Sequence, residues 1–131
     1  MIAEERLLYN APRAPSVDPV RVRAAALAIR HARQHVSLRP FDLVWCYKPG
    51  AVHGQTIVFP DGRIEVRLRA DLPERSHPML TAREQVWVAL HEMGHVHDAQ
   101  VLHRMTEEQA EKQANDFAGW AIKSFPWEEM R

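Results

Sequence analysis

The stretch Ala89–Gln100 limits what this chain can fold into more than any other. It lies in a helical pattern that the capping-box sequence Thr81-Ala82-Arg83-Glu84 is expected to open, one residue after Leu80. Trp87, His91, His95, Asp98 and Leu102 fall on one stripe of that helix, and Val86, Leu90, Met93 and Val101 on another. Two such stripes mean a helix covered on most sides, where His and Glu are costly without a partner. Gly94 adds a second constraint. In a helix interior it costs about 1 kcal/mol relative to Ala, and the usual compensation is the close approach of another element.

His91 and His95 are separated by one helical turn, so both imidazoles reach a single ion from one face. Glu92 lies one step round, near enough to act on a water at that ion without ligating it. His91-Glu92-x-x-His95 is thus the arrangement of a zinc metallopeptidase, with Glu92 as general base and one Zn²⁺ per chain. A catalytic zinc site takes three protein ligands and keeps one position open. The large class with Gly and His seven and ten positions after the first His is excluded, because Asp98 and Val101 stand there. Asp98, His97, His103 and a glutamate of the last helix remain as candidates for the third ligand. Asp98 also suits holding an imidazole N–H. Glu107 and Glu108 belong to a capping box, whereas Glu111 shares a stripe with Ala114, Asn115, Ala118 and Ile122, where a carboxylate needs a partner.

A chain of 131 residues builds one modest core. Residues 1–17, with Pro12 and Pro15, read as a flexible or loosely docked arm, and residues 18–131 as one domain. Asp18-Pro19 opens an amphipathic helix over about 18–36, with Val22, Ala25, Ala26, Ile29, Ala32 and Val36 on its apolar stripe. Arg21, Arg23, Arg30 and Arg33 lie outside that stripe, and His31 and His35 read as surface residues. Phe41–Tyr47, Thr56–Phe59 and Ile64–Leu68 read as strands, the last two joined at Pro60-Asp61-Gly62 as a hairpin. Ile64–Leu68 alternates apolar and charged residues, as an edge strand would, and such an edge can pair with an extended peptide. Thr106-Glu107-Glu108-Gln109 opens a last helix to about Ser124. The expected fold class is α+β: an N-terminal helix, a small, mainly antiparallel three-stranded sheet, the helix of the His-Glu-x-x-His motif, and a C-terminal helix carrying the third ligand.

Lys+Arg and Asp+Glu balance at 17 each. The balance hides a basic half, 11 basic to 6 acidic side chains in residues 1–70, and an acidic half with 6 and 11. The basic residues are mostly scattered arginines and form no run, so nucleic acid is not expected as a partner. Cys46 is the only cysteine, which leans towards a reducing compartment. No signal peptide or membrane-spanning run is visible, so a soluble cytoplasmic domain is expected.

His91-Glu92-Met93-Gly94-His95 is followed on the next helix by Glu111-Lys112-Gln113-Ala114-Asn115-Asp116-Phe117-Ala118. Together these resemble the ImmA/IrrE metallopeptidase family, which pairs a His-Glu-x-Gly-His helix with a Glu-x-x-Ala-Asn-x-Phe-Ala helix. The likeness covers roughly residues 55–122. It implies that His91, His95 and Glu111 are zinc ligands, that Glu92 is the catalytic base, and that the substrate is a regulatory protein such as a repressor. Two departures stand out: Ala121-Ile122 replace the Leu-Leu common after Phe-Ala, with Pro126 coming late, and the inter-helix loop is short. Tyr47, His97 and His103 are candidates for stabilising the oxyanion, and Asp98 and Asn115 for supporting the site from behind. The expected activity is endopeptidase cleavage of a protein or peptide. The alternative is a zinc-binding interaction domain that sequesters its partner without cutting it, and an intact Glu92 favours the enzyme.

Overall fold

The structure is a computed structural model that describes the backbone of residues 3–7 together with residues 17–46, 53–70, 72 and 75–130. The order of elements is β1 (Ala3–Leu7), α1 (Pro19–His35), β2 (Phe41–Cys46), β3 (Gly54–Val58), β4 (Ile64–Arg69), α2 (Pro78–His97) and α3 (Glu107–Ala121). Among the described residues, three α-helices and a mixed sheet make this an α+β fold, as the sequence predicts.

The sheet differs from expectation in two respects. Its order is β1-β2-β4-β3, so a fourth strand lies within the segment expected to be a flexible arm. Ala3–Leu7 pairs in parallel with β2, and α1 is the crossover between them. β2 and β4 are also parallel, and only the β3–β4 hairpin is antiparallel. Alternation along β4 identifies its two faces but carries no information on the direction of its neighbours. β4 is therefore an interior strand, with Ile64, Val66 and Leu68 buried, and the edge on this side is β3. The hairpin turn forms as its residues dictate: Asp61 Oδ1 accepts from the Arg63 amide, and Gly62 takes a φ of 89°.

Helix α1 starts where Asp18 accepts from the Val20 amide, with Pro19 in the first turn. Its buried face is Ala24, Ala25, Ala28, Ile29 and Ala32, rotated from the expected stripe so that Ala26 is exposed and Arg21 is inside. Arg21 reaches across to α2, donating to Glu84 Oε1 at 2.7 Å and Gln85 Oε1 at 3.2 Å. His31 is likewise buried, its Nε2 2.9 Å from the Ala121 carbonyl, while His35 is exposed. A polar side chain with a partner on a facing element goes inside, and one helix's periodicity cannot show that partner.

Helix α2 begins at Pro78, three residues earlier than the Thr81 box implies, with His77 Nδ1 accepting from the Met79 amide. Thr81 is buried and accepts instead from the Arg75 amide, and Glu84 is engaged by Arg21. The second capping box does form: Thr106 accepts from the Gln109 amide, and Gln109 accepts in return from the Thr106 amide. Helix α2 packs against α1, α3, β3 and β4, with Val86, Leu90, Met93 and Val96 fully buried beneath it.

Candidate metal centre

Two close approaches build the site. At Gly94, an added Cβ would lie 3.0 Å from the backbone Cα of Ala114. The missing side chain therefore lets α3 rest directly on α2, the compensation that a mid-helix glycine predicts. With Ala114 seated there, Glu111 and Asn115, a turn before it and one residue after, reach over His91 and His95. At Gly54, a Cβ would lie 2.9 Å from Val88 Cγ1 and 3.1 Å from Glu92 Oε2. This second glycine brings edge strand β3 down onto the opposite side of the motif.

Glu111 spans the two imidazoles, with Oε2 2.8 Å from His91 Nε2 and Oε1 3.3 Å from His95 Nε2. The donor atoms of His91, His95 and Glu111 all lie within 4.8 Å of one another. Asn115 Oδ1 sits 2.8 Å from His91 Nδ1. A carbonyl oxygen only accepts, so Nδ1 carries the proton there and Nε2 is left facing the cleft. Two imidazoles and one carboxylate match the ligand set of a catalytic zinc site, so these residues can hold such an ion. Glu111 is half-exposed, facing the cleft and not the core as its alanine-rich stripe suggests. A ligand on an open face leaves room for a substrate.

Glu92 is 4 % exposed and accepts a 2.8 Å hydrogen bond from the Thr56 hydroxyl. Burial pushes its carboxyl up to about 7; the charge of Glu111 adds to the rise, while the Thr56 hydrogen bond and His91 oppose it. Burial likewise lowers the His95 imidazole, helped by the charge of His91 and opposed by Glu111 and Asp98.

These residues open into a cleft of about 710 Å³ between α2, α3 and β3. His91, Glu92, His95, Glu111 and Asn115 all line it. The other sequence candidates lie elsewhere. His97 is turned away, with Nδ1 3.0 Å from the Ser37 carbonyl, and His103 is exposed in the turn Leu102–Arg104, outside this cleft. Neither joins the cluster as third ligand or faces the cleft as oxyanion donor. Asp98 caps the end of α2 and acts on His95 through its charge. Tyr47 lies outside the described residues. Conversely, the sequence reading missed the wall made by β3 and the residue before it: His53, Gly54, Gln55 and Thr56. Its one legible signal is that Gly54 and Thr56 stand two apart and therefore share a strand face.

Compared with protein-family models, with curated proteins and with solved structures, the chain has no match.

Proposed function

We propose that this chain is a small zinc-dependent endopeptidase acting on another protein. The observation that carries the reading is the convergence of His91, His95 and Glu111 beside a buried Glu92, within one open cleft. The resemblance of the two helical motifs to the ImmA/IrrE metallopeptidases supports the same reading and suggests a regulatory protein as substrate. A zinc ion held by those three residues would supply Lewis-acid polarisation of a carbonyl and would lower the pKa of a water towards neutrality.

The remaining steps belong to the chain itself. Glu92 lines the same cleft as the ligand cluster, with one oxygen fixed by Thr56, and a pKa near neutrality suits it to take a proton from the attacking water. The same carboxyl, once protonated, can return that proton to the leaving amine. Asn115 orients His91, and through it the open side of the cluster. Strand β3, the sheet edge nearest Glu92, offers backbone groups to an extended peptide in place of the β4 edge inferred from sequence. His53 lines the same cleft and is its remaining imidazole for a developing oxyanion. We also propose a cytoplasmic location, resting on the buried, unpaired Cys46; no helix among the described residues is long and apolar enough to cross a membrane.

Replacing the base while keeping the ligands tests the activity. Glu92→Gln should bind zinc as the native chain does and lose about 10²–10⁴-fold in peptide cleavage. A variant that cleaves at the native rate would remove Glu92 as the base, and a zinc-loaded native chain that cleaves no peptide would end the peptidase reading. A variant that affects a partner as the native chain does, with neither protein cutting it, would favour sequestration.

A further inference from the structure

A second groove, of about 660 Å³, adjoins the cleft, and the two share Thr56 and Leu102 in their walls. The face of β3 explains the continuity. Gly54, Thr56 and Val58 lie on one side of the strand, the first against Glu92, the second hydrogen-bonded to it, and the third in the wall of the second groove. A chain laid along this edge thus passes from Glu92 into the second groove within a few residues. Two strand positions span about 7 Å.

The two ends of this path differ in charge. Glu92, Glu107 and Glu111 line the cleft. The described lining of the second groove contains no carboxylate, and Arg39 and His103 share it with apolar Val58, Phe59 and Leu102. Arg39 forms no ion pair among the described residues. A further cation, Arg63, stacks on one of these lining residues, its guanidinium 4.0 Å from the centroid of the Phe59 ring. Val58 is 39 % exposed, an apolar side chain left on the path.

We propose that the second groove is a specificity site, taking an Asp or Glu side chain of an extended peptide that lies along β3. The inference rests on the peptidase reading in placing the scissile bond at Glu92. The acidic residue then falls about two to four positions from that bond, a span set by the strand rise. Arg39 pairs with the carboxylate, and Val58 and Leu102 take an adjoining apolar side chain. A nucleic acid is disfavoured as occupant, because the three glutamates of the adjoining cleft would repel its backbone.

The test is binding of short extended peptides to the zinc-supplemented Glu92→Gln chain, with Glu, Gln or Lys swept through each position in turn. At one position, Glu peptides should bind about tenfold tighter than Lys peptides, since exchanging the sign turns an attraction into a repulsion. Arg39→Glu should reverse that order, and Arg39→Gln should flatten it, while both variants keep native zinc content. Equal binding at every position, or a preference unchanged in Arg39→Glu, would overturn the proposal. Digestion of the same peptides by the native chain separates the two readings. Preference without cleavage leaves the acidic site standing and removes the peptidase; cleavage without preference does the reverse.

Discussion

Glu92 concentrates the energetic tension of this fold. A carboxyl that is 4 % exposed and titrates near 7, against an ordinary 4.5, is held in a place that favours its neutral form. The folded chain then keeps a proton that the unfolded chain releases between these two values. The stabilising contribution is present below about 4.5 and is lost as pH rises through 7, by about 3 kcal/mol at most. In chelator-treated protein, Glu92→Gln should therefore raise the urea midpoint clearly at about pH 8 and much less at about pH 4.5. An equal gap at both would show that burial does not set the charge state of Glu92. Asn115 has a separate part. Asn115→Ala leaves His91 without its Nδ1 partner and should weaken zinc about 10–100-fold in a competition titration, without loss of helix. Unchanged affinity would reduce that hydrogen bond to surface decoration.

At the level of elements, the site depends on how closely three of them meet. Gly94→Ala should improve helix propensity by about 1 kcal/mol in isolation. Here it presses a methyl on the Ala114 backbone and moves α3, which carries Glu111 and Asn115. We expect weaker zinc binding with full helical content; circular dichroism and a zinc titration on one sample check both halves. Gain of stability with native zinc affinity would mean that the helices meet elsewhere. The two helices were readable from residues: the spacing of His91 and His95, the glycine that demands a neighbour, and the Thr106 box that sets the phase of α3 all act locally. The sheet was not. Whether β4 runs parallel to β2, and which strand is the edge, depends on chain crossings that alternation does not record. The Thr81 box failed for a related reason, since Thr81 and Glu84 have partners from Arg75 and Arg21 that compete with capping. Arg21 and His31 were likewise placed outside because the elements receiving them lie far along the chain.

Across the whole molecule, the neutral net charge conceals a cleft lined by three glutamates beside a groove lined by Arg39 and His103 and, among its described residues, by no carboxylate. The ligand cluster draws on two helices, Glu92 is covered by the sheet, and a metal bound there would tie these layers together and stabilise the folded chain by mass action. The third ligand is the residue on which that account turns, because the residue pattern alone left Glu111 in competition with His103. Native mass spectrometry of zinc-loaded protein, comparing the unaltered chain with Glu111→Gln and His103→Ala, decides it. The account predicts one zinc per chain in the native protein and in His103→Ala, and little or none in Glu111→Gln at the same free zinc. Zinc retained by Glu111→Gln and lost from His103→Ala would contradict it.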